Sequence, residues 1–236
     1  MKKVLLFMAA AVMSASVSFA QADDKAAAKA AKEAAKALKA EIKAANKVLR
    51  DAQAQLNSIE GNIDQANALI EAAMENKHTA SNPDTWYTAG KIQEKYYNQE
   101  NEKMYLQQPY NQDKFFGSLS KMFDYFIKCD ELEQLPNAAG KVVVKYRPEI
   151  SEFLSRCRVN LVSGGVTYFN AGDDAKAFDL FSQYIDVASA PLLASYNLLE
   201  TDTLLHDIAY YATLAGLKME DYNKALKYID IAIATP

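Results

Sequence analysis

The chain has 236 residues, half of them hydrophobic, and carries 26 Lys plus Arg against 30 Asp plus Glu, for a net charge of −4. A mildly acidic surface has no general attraction for nucleic acid or anionic lipid, so neither is an expected partner. With two histidines, His78 and His206, in separate segments and without ligand spacing, no metal site and no cofactor are expected.

The first twenty residues have the three parts of a secretory signal peptide. Lys2 and Lys3 form the basic region, Val4 to Val12 the apolar core, and Ser18-Phe19-Ala20 a small-x-small cleavage site. The apolar core is too short to span a bilayer, and no cysteine lies near the cut, which disfavours a lipid anchor. The expected product is an exported, periplasmic chain beginning at Gln21, with a charge of about −6 after loss of the two lysines. Export leaves a disulfide between Cys129 and Cys157 open; the competing reading is two thiols buried as small apolar side chains.

From Asp24 to about Ile59, apolar residues fall at Ala31, Ala35, Leu38, Ile42, Ala45, Leu49, Ala52, Leu56 and Ile59. Steps of three and four predict one long amphipathic helix with its lysines on a solvated face. Gly61 ends it, and "NIDQANALIEAAMEN" predicts a second helix, the two pairing over 21–80. In the 81–147 segment, Asn82 is a good N-cap and Pro83 suits the first helical position. The polar "NQENEKMYLQQPYNQD" reads as an inserted loop. "KFFGSLSKMFDYFIKCDELEQLP" returns to helix with Phe115, Leu119 and Phe123 on one face. Val142 to Val144 is the one strand-like run, but beside Pro148 it favours a loop or a short extended piece.

Over 148–236 the pattern predicts two more helix pairs. "AGDDAKAFDLFSQYI", "MEDYNKALKYIDIAI" and "EGNIDQANALIEAAM" can be superposed. In each, a turn residue (Gly172, Glu220, Gly61) precedes alanine by five (Ala177, Ala225, Ala66) and a large apolar residue by nine (Phe181, Ile229, Ile70). Upstream, Leu161, Gly164, Gly165 and Tyr168 match the small and aromatic positions of W-x₂-L-G-x₂-Y, while Trp86, Ala89 and Gly90 supply an earlier copy.

On these residues the mature chain resembles the tetratricopeptide repeat family, most closely over 159–188 and 205–235, and is similar in general look to exported repeat proteins of Bacteroidetes. The resemblance implies an all-α helix-hairpin solenoid, a tetratricopeptide-like superhelix of about four pairs. Gly165 and Ala177 should face each other at a tight crossing, with Tyr168 and Phe181 filling the space to the next helix. Trp86, Gly90, Ala225 and Ile229 should hold the matching packing positions. Ala177 to Ala225 is 48 residues, longer than the usual 34, so "SAPLLASYNLLET" is an insertion or extra helical turn. The last repeat ends without a polar cap, which leads to the expectation that the chain is the N-terminal part of a longer protein.

Glycines 164, 165 and 172 do not form a phosphate loop, because no strand precedes them and the spacing is wrong. Asp173 and Asp174 sit where they would cap a helix, so no catalytic pair is expected and the chain is not read as an enzyme. The resemblance implies a binding scaffold for a protein or peptide. Its groove would be lined by Tyr87, Lys91, Glu94 and Lys95, by Val166, Phe169 and Asn170, and by Tyr210, Tyr211, Leu214 and Lys218. The alternative is a glycan-binding accessory protein of an envelope uptake system, using the tyrosines and amides of Tyr96–Tyr110.

Overall fold

A computed structural model describes residues 22–137 and 139–234; the expected signal peptide over 1–20 lies outside them. Among the described residues the chain is all-helical, without strands. Helices α1 (Ala22–Asn57), α2 (Ile63–Glu75), α3 (Pro83–Tyr105) and α4 (Gln112–Glu133) are followed by α5 (Arg147–Cys157), α6 (Val159–Ala171) and α7 (Asp174–Asp186). Two 3₁₀ segments, Val187–Ser189 and Pro191–Tyr196, lead through α8 (Leu198–Thr201) to α9 (Leu205–Lys218), α10 (Tyr222–Leu226) and α11 (Ile229–Ile233).

Two units are distinguished, one ending at Ala44 and one beginning at Ala45. In the first, the predicted stripe is exposed, Leu38 at 46 %. In the second, Ala45, Leu49 and Ala52 continue the same stripe into a buried core. Leu49 and Ala52 join Ala66, Ile70 and Ala73 of α2 and Ala89, Ile92 and Tyr96 of α3 in one apolar cluster. A larger cluster runs from α4 to α9 through Phe123, Phe126, Leu161, Phe181 and Ala209. Helices pack largely in chain order, α2 on α3, α3 on α4, α6 on α7, α7 on α9, and α9 on α10 and α11, with α4 also meeting α6.

Short polar side chains mark five of the helix starts among the described residues, two of them, Asn82 and Asp173, as predicted. Asn62, Asn82, Asn111, Asp173 and Asp221 each accept a backbone N–H from the first turn that has no partner within its helix. Pro83 follows its cap at the start of α3. Of the three turns matched in sequence, two are alike in space, and Gly61 does not share their left-handed backbone. Gly172 and Glu220 both adopt left-handed φ, 78° and 56°. The next N–H closes each helix on a carbonyl five residues back, Asp173 on Tyr168 at 2.9 Å and Asp221 on Gly216 at 3.0 Å.

Several expectations are corrected. The supposed inserted loop is mostly helix, since α3 continues to Tyr105 and only 106–111 turns the chain. Its buried Tyr96 and Glu100 explain this, because a polar-looking segment with an inward stripe has a core to pack on. The predicted helix over 151–171 is broken at Arg158, and the final helix is broken between α10 and α11. That second break moves the buried large apolar position from Ile229 to Tyr228, which packs against Phe178 at 6.2 Å. The group nearest the face of Gly165 is the ring of Phe181, not Ala177. Gly90 stands against Phe126 in the same way. The glycine-on-alanine crossing occurs instead in the last pair, where a Cβ on Gly216 would lie 2.5 Å from the Ala225 nitrogen. Tyr168 turns back toward α4, edge-on to Phe116 at 5.8 Å and donating to Asp113 at 2.6 Å, while Phe181 does reach forward to Tyr211.

The long spacing between Ala177 and Ala225 is filled by the 3₁₀ segments and α8. This insertion is packed: Leu192 and Leu193 are buried, and the second 3₁₀ segment lies on α5. The Val142–Val144 run is an exposed connection without strand pairing. It is moored by buried Glu133, whose carboxylate accepts the N–H groups of Lys145 and Tyr146 at 2.8–3.1 Å.

Candidate functional site

The eleven residues assigned to a groove by the resemblance fall into two sets. Tyr87, Lys91, Glu94 and Lys95 converge. They line a cavity of about 500 Å³ between the last turns of α1 and the outer face of α3. A helix places residues three or four apart on one face, and α3 presents Tyr87, Lys91, Lys95, Gln99 and Glu102 as one such row. The opposite wall is Gln53, Leu56 and Asn57 of α1, and Tyr146 closes one end.

Tyr87 anchors this end. Its ring stacks on Tyr146 with centroids 3.7 Å apart, and its hydroxyl donates to the Glu149 carboxylate at 2.9–3.0 Å. Burial, then the Glu149 carboxylate, pushes the Tyr87 phenol up, so it stays a donor. Burial likewise raises Tyr146, whose hydroxyl donates to Asp84 at 2.5 Å. Lys91 lies 2.6 Å from Glu94 and 3.4 Å from Glu149, and Lys95 donates to the Leu56 carbonyl at 3.4 Å. Further along, Gln53, Asn57, Asn98 and Gln99 supply four amides. The surface is thus mixed in charge and rich in donors and acceptors. Among its lining residues there is no cysteine, serine or histidine.

The second set lies on α6 and α9. Phe169 meets Tyr211 edge-on at 5.8 Å, Tyr210 packs on Tyr211, and the Lys218 ammonium sits 3.9 Å over the Phe169 ring while also pairing with Asp174 at 3.1 Å. Val166, Asn170, Tyr210 and Tyr211 are exposed, whereas Phe169 and Leu214 are half-buried. These side chains serve helix-to-helix packing and an aromatic outer surface at once.

Of the packing residues, Gly90, Gly165, Tyr168, Ala177, Phe181 and Ala225 are buried, and Trp86 is half-buried with its Nε1 donating to Ala80 at 2.7 Å. Of the loop tyrosines, Tyr96 is buried and donates to Asp64, Tyr110 packs edge-on to Phe115, and only Tyr105 is widely exposed. Both cysteines are free and buried. Among the described residues no cluster of three or more His, Cys, Asp or Glu could hold a metal, and no helix is long and apolar enough to cross a membrane.

Sequence reasoning missed Glu149 and Tyr146, which complete the groove from a distant segment, and Arg158. The Arg158 guanidinium donates to the Tyr184 carbonyl at 2.8–3.1 Å and to Asp202 at 2.5 Å, and lies 3.5 Å over the Tyr184 ring. Nothing in the local pattern around "SRCRVN" marks that role, because its partners lie 26 and 44 residues away.

The class these observations define is an all-helical protein of helices packed in chain order, with a polar groove on α3. No family model, curated protein or solved structure matches the chain.

Proposed function

We propose that this chain is an exported, non-enzymatic scaffold of tetratricopeptide type, acting in a bacterial periplasm and binding a protein partner through the α1–α3 groove. One observation carries the reading. The four first-helix positions that the family resemblance assigns to a partner groove, Tyr87, Lys91, Glu94 and Lys95, line one concave surface. The alternation of cation and carboxylate along it suits an extended peptide, whose backbone and mixed side chains supply complementary donors and acceptors.

The test is site-specific photocrosslinking in the native envelope from Asn98, which lines the groove. Capture of one protein from this position, lost on Lys95→Glu together with Lys91→Glu, supports the reading. Equal capture from an exposed position on α1 such as Lys36 sinks it.

A second reading is glycan binding, favoured by the four amides at the groove, which match sugar hydroxyls. Affinity electrophoresis against polysaccharides separates the two: retardation abolished by Asn98→Ala and Gln99→Ala favours sugar, and unchanged mobility removes it.

A further inference from the structure

A second concave surface lies where no groove was expected, along the seam between α4 and α7. Two cavities of about 360 and 690 Å³ adjoin there, sharing Ser120 and Asp179. None of their lining residues belongs to the α1–α3 groove. The trough follows α4 from Asp113 to Glu131. At 1.5 Å per residue that is about 27 Å, enough for roughly eight residues of extended chain. Its floor alternates apolar and polar groups, with Phe116 and Leu180 at one end and Ile127 and Phe178 at the other.

Its lining carries more carboxylates than lysines. Five carboxylates face the trough, on Asp113, Asp124, Glu131, Asp179 and Asp186, against two lysines. Lys176 is held by Asp113 at 2.9 Å and Lys227 by Asp186 at 2.9 Å, so neither is available to the others. Glu131 has Lys128 at 3.0 Å, and Asp179 has Lys224 at 4.0 Å. Asp124 has no cation among the described residues; it accepts only the Gln183 amide, at 2.8 Å. Solvent reaches Asp124, yet enough protein surrounds it that burial raises its carboxyl, against the pull of that amide.

Two polar atoms in the same wall lack protein partners. The Oγ of Ser182, a residue only 7 % exposed, makes no hydrogen bond, and neither does Oε1 of Gln183, whose amide nitrogen is committed to Asp124 and the Ser120 carbonyl. A buried acceptor without a donor is a cost to the fold, which a ligand N–H would relieve. Gln183 is also the residue that holds Asp124, the one of the trough's carboxylates without a paired cation among the described residues. Together these groups ask for a chain with N–H donors along its length and a positive side chain at Asp124.

We infer that the α4–α7 trough is a second binding site, taking an extended, lysine- or arginine-bearing polypeptide segment whose cation pairs with Asp124 and whose backbone N–H groups reach Gln183 Oε1 and Ser182 Oγ. It adds a separate polypeptide surface to the scaffold reading and rests on different residues, so either site can fail without the other.

The experiment is fluorescence polarisation on the full chain at about physiological ionic strength. The probe is a labelled peptide of about ten residues with lysine alternating with valine. Saturable binding is expected, weakened about tenfold or more by Asp124→Asn and by Ser120→Trp, which fills the seam. Lys91→Glu with Lys95→Glu, in the other groove, should leave it unchanged. Thermal melts of each variant check that the fold is retained. Because Asp124 is exposed, Asp124→Asn keeps the test valid even where Ser120→Trp destabilises the chain. Absence of binding, equal binding of the glutamate-for-lysine peptide, or indifference to Asp124→Asn overturns the assignment. Full competition by free spermidine overturns the polypeptide part of it, leaving a small polyamine as the ligand.

Discussion

The backbone of Gly165 in α6 lies directly under the ring edge of Phe181 in α7, and a Cβ there would fall inside the ring's van der Waals shell. Phe181 is fully buried and touches both Phe169 and Tyr211, so the ring has no room to retreat. Gly165→Ala should therefore destabilise the chain by about 1–3 kcal/mol in urea melts, through overpacking. Gly117→Ala is the control. Gly117 is exposed in the middle of α4 with nothing within 4 Å of its Cβ position, so helix propensity alone should stabilise by about 0.5–1 kcal/mol. Equal losses for both variants would refute this packing account.

Glu220 occupies the left-handed turn position that Gly172 holds in the preceding pair. A non-glycine residue there carries about 1–2 kcal/mol of strain. Glu220→Gly relieves that strain but gives the unfolded chain more freedom. The expected net effect is stabilisation by up to about 1 kcal/mol, read as a rise in Tm. Gly172→Glu should move Tm the other way.

Arg158 and Asp202 are both buried, so removing one leaves the other charged and unpaired. Asp202→Ala should cost about 3–5 kcal/mol, and chemical denaturation at neutral pH measures it. Burial would raise the Asp202 carboxyl, but the Tyr184 hydroxyl, the Arg158 guanidinium and the Leu204 N–H outweigh it and hold it below the usual range. A carboxyl depressed in the fold contributes stability above its unfolded value, near 3.9, and loses it as pH falls through the lower folded value. The stability gap between wild type and Asp202→Asn should thus be full at neutral pH and shrink below about pH 4.

Burial, reinforced by the nearby Glu133 and Asp130 carboxylates, pushes the Cys129 thiol far up; burial raises Cys157 to about 11. Neither thiol should react with a disulfide reagent at pH 8 while the chain is folded, and both should react on unfolding. Labelling rates that track global unfolding across urea concentrations support this; rapid native-state labelling of Cys129 contradicts it.

Helix starts were legible because each depends on a few neighbouring residues, such as Asn82 before Pro83 or Asp173 before α7. The likeness of the turns at Gly172 and Glu220 was legible for the same reason. The break at Arg158 was not, because what satisfies that guanidinium is the Tyr184 carbonyl and Asp202, far along the chain. Of the groove row on α3, Tyr87, Lys91 and Lys95 were assigned by the family resemblance, and Gln99 and Glu102 were not. The groove's other wall, on α1, and its end, at Tyr146 and Glu149, could not be read from the sequence.

By itself, the sequence determined the all-helical character and the caps at Asn82 and Asp173, since periodicity and local hydrogen bonding act within a few turns. Only the tertiary structure decided which stripes meet. It brought Phe181 onto Gly165, set α1 opposite α3, and aligned Asp124 with Gln183 across 59 residues. A concave surface depends on the register between distant helices, and that register is set by how side-chain volumes interlock rather than by any single segment.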